Sequence, residues 1–211
     1  MIEKLCNNLT NKIKYEIPGI DDERAEIINY GLQLVVGEIP KIFALLIIAY
    51  ICGVLELSIL ALLFIIPYRT FSGGFHLKTH IGCIVATSLF YIGNALLSKY
   101  IVFEPLFIKY IVIFAIWIFS LIMIKLYAPA DTENVPILRK KDRDLKRKLS
   151  YLTMSLTLII AVFVTNTIIS NLLIFGVLIQ TVSITRFAYK ITKSKYGYEE
   201  YIKSQKINIA T

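Results

Sequence analysis

Two side chains with reactive chemistry stand close together in the stretch RTFSGGFHLKTHIGC, residues 69–83: the imidazole of His76 and the thiol of Cys83. A histidine can remove a thiol proton, and the resulting thiolate can attack a carbonyl. A thiol among apolar groups stays protonated and inert unless a positive charge lies nearby. Arg69, Lys78 and His80 share the stretch, and a helix beginning near residue 79 would add its positive N-terminal end. Spacing sets a further condition. On one straight helix His76 and Cys83 would share a face but sit roughly 10 Å apart along the axis, whereas a general base works at about 3 Å. The chain must therefore bend between them, and Gly73, Gly74 and Gly82 permit a bend. His80, three residues before Cys83, is the local rival as base.

Other readings compete. A cysteine at the end of a membrane helix also serves as a small packing residue, and histidines beside Lys and Arg also serve as interfacial charge. A metal held by His76, His80 and Cys83 at i, i+4 and i+7 would need a distorted helix to bring in the third ligand, and no acidic fourth ligand lies near. No metal and no cofactor are expected. Cys6, Cys52 and Cys83 are odd in number and scattered, so neither a disulfide framework nor a CxxC pattern follows.

The elements that must position these residues are built for lipid. The 211 residues are 56% hydrophobic and 18% charged, with a mean hydropathy of +0.66, against the roughly one-quarter charged usual in soluble domains. Several windows of roughly 15 to 22 residues carry almost no charge, the length a membrane-crossing helix needs. An all-α, polytopic membrane protein is expected, in preference to a soluble bundle of unusually apolar helices. The predicted spans are 39–55, 58–67, 80–97, 106–127, 151–169 and 172–187, six in all. The second is short enough to require tilt or extension.

Residues 1–37 read as an amphipathic helical region. Leu5, Leu9, Ile13 and Ile17 recur at helical spacing, Pro18-Gly19 breaks the run, and Asp21-Asp22 suits the start of a second helix. Residues 38–188 form the six-helix membrane domain, with a candidate catalytic loop at 68–83 and a basic loop at 128–149; a Lys-rich tail, 189–211, follows. No cleavable signal peptide is visible in residues 1–28.

The formal net charge is +8. Lys and Arg fall between the apolar segments, which points to membrane lipids at cytoplasmic loops and not to nucleic acid. Arg69, Lys78, the 139–148 cluster and Lys190, Lys193, Lys195, Lys203 and Lys206 would lie on one side, with only Lys99 opposite, so both termini are expected in the cytoplasm. Tyr68, Tyr100, Tyr127 and Tyr151 fall at segment ends, as an interfacial belt would place them. Lys41, Lys109 and Lys125, in or near spans, are expected to snorkel or to line an interior cleft.

Arg69, Gly74, His76 and Cys83 at their spacing, together with INYGLQ at 28–33 and YAPADTENVPI at 127–137, resemble the signature of the accessory gene regulator protein B (AgrB) family. The resemblance covers nearly the whole chain. It implies a cell-membrane cysteine endopeptidase of Gram-positive quorum sensing that cuts an AgrD-like propeptide near its C-terminus and closes a thiolactone or lactone ring. It also implies a homodimer, which nothing in this chain requires independently. Matched residue by residue, Cys83 would be the nucleophile and His76 the base. Arg69, Gly74 and Gln33 match positions of the family motifs, and Gln33, Arg69 or backbone amides around Gly74 are candidate oxyanion donors. His80 has no counterpart in the pattern. Arg139, Lys140, Lys141 and Arg143 would contact lipid headgroups or draw in the propeptide's acidic tail. The reading from another class is a non-catalytic membrane transporter or export component for a signalling peptide.

Overall fold

The computed structural model describes residues 2–17, 19–77, 79–133 and 136–210, with the side chains of 2, 3, 23, 30, 34, 80 and 206–210 left aside. Pro18, Lys78, Asn134 and Val135, and the side chains of His80 and Lys206, therefore lie outside the described residues. The chain runs α1 (Ile2–Glu16), α2 (Asp22–Ile51), α3 (Leu55–Ser72), α4 (His80–Tyr100), α5 (Leu106–Tyr127), α6 (Lys140–Phe163), α7 (Thr167–Ser183), α8 (Arg186–Ile191) and α9 (Gly197–Ala210). The all-α class is as expected.

Local chemistry sets the helix ends. Asp21, in extended geometry, accepts a bond from the Arg24 amide at 2.8 Å and opens α2. Thr79 caps α4 through the Gly82 amide at 3.1 Å, and Asn166 caps α7 through the Ile169 amide at 3.1 Å. Proline stops neither α2 nor α3: Pro40 and Pro67 both lie inside their helices. The expected break at 67 is thus replaced by an 18-residue α3, about 27 Å long, and the short second span gains its missing length. Likewise α2 runs without interruption past residue 37, joining the amphipathic segment to the first span. The basic stretch is a loop only to Arg139, and its remainder, 140–149, is about the first three turns of α6.

Four helices among the described residues are long and apolar enough to cross a membrane: Arg24–Ile51, Leu55–Ser72, Ile81–Tyr100 and Leu106–Tyr127. The shorter apolar α7 and the apolar second half of α6 complete the bundle. This is a multi-pass membrane architecture. On α5, Phe107, Ile111, Phe114, Ile118 and Ile122 form an exposed apolar face, while Lys109, Ile113, Ile116, Ser120 and Ile124 are buried. An apolar outside of this kind is what lipid contact requires.

Helix α7 is the axis of the bundle, packed by α3, α4, α5 and α6. Ser170, Asn171, Gln180, Thr181 and Ser183 on it are all 1% exposed or less, so its polar groups are spent inside protein. Thr181 meets the hydroxyls of Tyr68 at 3.0 Å and Ser120 at 2.8 Å. Tyr68 is therefore not an interfacial residue as expected but a core one, 1% exposed, whereas Tyr100 is 73% exposed. Lys109 is buried too, its Nζ 3.4 Å from the Val164 carbonyl. Asn94 donates to the Leu172 carbonyl at 3.1 Å, tying α4 to α7.

Helix α1 packs on α2, burying Cys6 and Thr10. Leu5, Leu9 and Ile17, the stripe expected from spacing, face outward, as on an interfacial helix.

Replacing Asn94 with Ala removes the α4–α7 tie and is expected to cost about 1–3 kcal/mol. Thermal denaturation of the detergent-purified protein measures this, and an unshifted midpoint would show the bond to be dispensable.

Candidate active site

The site begins where α3 gives out. Gly73 and Gly74 follow its last residue with φ of +73° and +149°, values that side-chain-bearing residues rarely adopt. The turned-out backbone forms an isolated parallel bridge with Ala130. The Ala130 amide donates to the Ser72 carbonyl at 2.8 Å, and the Gly74 amide donates to the Ala130 carbonyl at 2.9 Å. A Cβ at Gly73 would drive into the Ala130 backbone, and one at Gly74 would lie 2.9 Å from Ser183 Oγ and 3.3 Å from an Arg69 nitrogen. The stretch around Gly74 and the YAPAD stretch, some fifty residues apart in sequence, are thus one structure.

From Gly74 the loop folds over the start of α4. The Cys83 amide bonds the Thr79 carbonyl at 3.0 Å, and the Cys83 thiol donates to the Leu77 carbonyl at 3.3 Å. Gly82 makes room for this fold, since a Cβ there would meet Thr79 Oγ1 at 2.7 Å. The bend required by the His76–Cys83 spacing therefore exists: His76 is not on a helix, and its neighbour Leu77 touches the sulfur. His76 and Cys83 line one cleft of about 420 Å³ between α2, α3, α4 and α7. Its wall also includes Arg69, Glu38, Lys41 and Gln180, with Ile42, Leu45, Ile65, Phe90 and other apolar groups below.

Arg69 is held by two neighbours, Gln180 Oε1 at 3.1 Å and the Phe75 carbonyl at 3.5 Å. Gln180 in turn donates to Ser72 Oγ at 2.9 Å and the Gly73 carbonyl at 2.8 Å. One buried amide thus fixes the guanidinium and the glycine turn together. Sequence reasoning missed Gln180, although a glutamine in the apolar run LLIFGVLIQTV is the kind of intramembrane polar residue that signals function. Lys41 pairs with Glu38 at 2.6 Å on the opposite wall, so it lines the cleft, one of the two placements expected for it. Gln33 sits on α2, more than a turn before Glu38, and does not line the cleft.

Surrounding protein draws bulk water away from the His76 imidazole, and the charges of Arg69 and Lys41 oppose its protonation while Glu38 partly offsets them, lowering its pKa to about 4. The ring keeps exposed surface toward the cleft, where water works against that desolvation. In either case the imidazole is neutral at pH 7 and able to accept a proton.

Asp131 organises the ground beneath the loop. Its Oδ2 accepts from the amides of Ile137 at 2.9 Å and Tyr198 at 3.1 Å, and from Arg143 at 3.3 Å. Arg143 also lies over the Tyr198 ring, 4.1 Å from its centroid. It is turned inward, unlike the exposed Arg139, Lys140 and Lys141 with which the sequence groups it. The Tyr189 hydroxyl donates to the carbonyls of Ala130 and Asp131, both at 3.0 Å. Burial pushes the Tyr189 and Tyr196 hydroxyls up, so both remain donors. The expected Lys-rich tail is consequently folded against the site as far as α9.

A helical membrane protein with a cysteine–histidine cleft at one end of its bundle is the class that fold and site define. Residues 6–184 match Accessory gene regulator B, and the chain belongs to this AgrB family. It is 27% identical over 209 residues to a provisionally named AgrB-like protein of Clostridium acetobutylicum, with 96% of each chain covered. One from Listeria monocytogenes serovar 1/2a is 28% identical over 202 residues, 94% of each chain. One from Clostridium perfringens is 29% identical over 160 residues, 74% of each. No solved structure matches the chain. Membership places the protein in accessory gene regulator quorum sensing, where it works with an AgrD-type propeptide.

Two outcomes are expected. The chain has only two histidines, so His80→Gln leaves His76 as the sole imidazole for an NMR titration; its midpoint should fall well below 6.5, near 4, and an ordinary midpoint would refute the electrostatic account. Gln180→Ala should leave the protein in the membrane but lower propeptide processing by about tenfold or more, the loss expected when a half-buried guanidinium loses one of its two partners and the Gly73 carbonyl its side-chain donor. Full processing would show that Gln180 does not support the site.

Proposed function

We propose that the protein is a cysteine endopeptidase that cleaves its propeptide through an acyl-thioester on Cys83 and promotes ring closure. The observation that carries this reading is the shared cleft: His76 and Cys83 both line it, and the loop bearing His76 lies 3.3 Å from the Cys83 sulfur at Leu77. At rest the pair is a thiol and a neutral imidazole. Exchange of the thiol's bond from the Leu77 carbonyl to the imidazole frees the sulfur lone pair as His76 takes the proton.

The sulfur attacks a propeptide carbonyl, and the carbon–nitrogen bond breaks as the imidazolium gives its proton to the departing amine. A thioester remains on Cys83. A thiol or hydroxyl of the propeptide itself then attacks that thioester, gives its proton to His76 and closes the ring, while the Cys83 sulfur leaves and is reprotonated. Ring closure must outrun hydrolysis, and a cleft walled largely by Ile42, Leu45, Ile65 and Phe90 supports this by limiting water.

Arg69 is the oxyanion donor the geometry favours. The Gly74 amide is already bonded to Ala130, Gln33 lies off the cleft, and Arg69 lines it with N–H groups beyond its two bonds. The bundle end that holds the site carries Arg69, the 139–148 cluster and the basic residues beyond Ser183, whereas the opposite turns carry Glu56, Lys99 and Glu104. This charge bias supports a cytoplasmic site and cytoplasmic termini. The exposed Arg139, Lys140 and Lys141 are placed to meet lipid headgroups or an acidic propeptide tail at that face.

Cys83→Ala should abolish cleavage of the cognate propeptide at unchanged protein abundance, as should His76→Ala, while His80→Ala should retain it. Intact cleavage in the Cys83 variant would favour a transport or export role.

A further inference from the structure

The match to the family ends at residue 184, yet the chain beyond it reaches the candidate base. Ser194 Oγ donates to the backbone carbonyl of His76 at 2.7 Å. The bond is set up by its own segment. After α8 the backbone turns through Lys193, whose φ of +54° is the one positive value at a non-glycine position among the described residues. The Lys193 amide bonds the Lys190 carbonyl and the Ser194 amide bonds the Tyr189 carbonyl, closing the helix and aiming Ser194 at the loop. Side chains bearing a Cβ are disfavoured in this backbone region, and residues held there cluster where a particular geometry is required.

Both flanks of the turn are anchored. Before it, Tyr189 bonds the Ala130 and Asp131 carbonyls. After it, Tyr196 stacks on Tyr189 with ring centroids 4.0 Å apart, and its hydroxyl donates to the Ile184 carbonyl at 2.8 Å. The Tyr198 amide ends on Asp131. Ala130, the neighbour of Asp131, also holds the glycine turn. The loop bearing His76 is thus fixed at its start by Ala130, at its end by the Thr79 cap, and between them by Ser194.

We propose that residues 185–200 form a strap that sets the position of His76 relative to the cleft, with Ser194 as the positioning residue. The proposal rests on His76 being the base. Without the Ser194 hydroxyl, the carbonyl of His76 turns to water and the segment from Phe75 to Leu77 gains freedom. The imidazole then meets the thiol in fewer of the bound complexes, which lowers kcat and leaves propeptide capture alone.

The test compares wild type, Ser194→Ala, Ser194→Thr and His76→Ala in membrane vesicles, measuring kcat and KM for propeptide cleavage. The alkylation rate of Cys83 by iodoacetamide at pH 7 is followed by mass spectrometry. Ser194→Ala should lower kcat by about tenfold and keep KM within about twofold, and slow Cys83 alkylation in parallel; Ser194→Thr, which keeps the hydroxyl, should recover most of the loss. Unchanged kcat in Ser194→Ala overturns the strap. So does a Thr variant as poor as Ala, or a fall in kcat matched by an equal fall in folded protein. Wild-type cleavage by His76→Ala would instead remove the reading of His76 as base, and the strap with it. An inactive His76→Ala beside an unaffected Ser194→Ala would remove the strap alone.

Discussion

Everything at the cleft end of this bundle depends on satisfying a short piece of non-helical backbone beside a membrane. Where α3 ends, the carbonyls of Ser72 and Gly73 and the amide of Gly74 find their partners outside the helix, and at the bilayer edge such groups must be paired by protein. The exchange of two backbone bonds with Ala130, with Gln180 at the Gly73 carbonyl, supplies that pairing. It needs close approach, and only residues without a Cβ can occupy positions 73 and 74 in that geometry. The glycine pair, the second polar motif and the tyrosines that hold it follow from one requirement. Cys83 and His76 occupy one cleft because of it.

The electrostatics follow from the same economy of partners. Gln180 holds the guanidinium of Arg69 beside the turn, and Glu38 holds Lys41 across the cleft. Arg69 therefore acts on the imidazole through its full charge, and Lys41 through a charge that Glu38 partly offsets. The histidine is kept uncharged. A carboxylate orienting the imidazole would have reversed this effect. Here His76 is bonded at its backbone carbonyl, by Ser194.

Much of this was legible in the sequence. Helix α5 has the bounds its apolar run predicts, Asp21 opens α2 as the paired carboxylates suggest, and the need for a bend before Cys83 follows from helical arithmetic alone. The misses have physical causes. The second apolar run ends at Pro67, but in a packed membrane helix neighbouring groups absorb the loss of proline's donor, and α3 continues to Ser72. Tyr68 read as interfacial because it falls at a segment end, yet α7 supplies Thr181 to meet its hydroxyl in the core. The C-terminal segment read as solvated because it is rich in lysine. Its anchors are tyrosines and a serine placed by tertiary structure, and no local pattern announces partners 59 and 118 residues away.

Helix α7 has a consequence for how the protein is made. It is the last of the packed bundle helices to leave the ribosome, and its 17 residues carry the partners of α3, α4 and α5. Until it arrives, the earlier hairpins can enter the bilayer but hold Tyr68, Asn94 and Ser120 without their final mates. The central column is inserted after its walls, so assembly finishes from the middle outward, and a nascent chain stalled before residue 167 would reside in the membrane as a shell with no working interior.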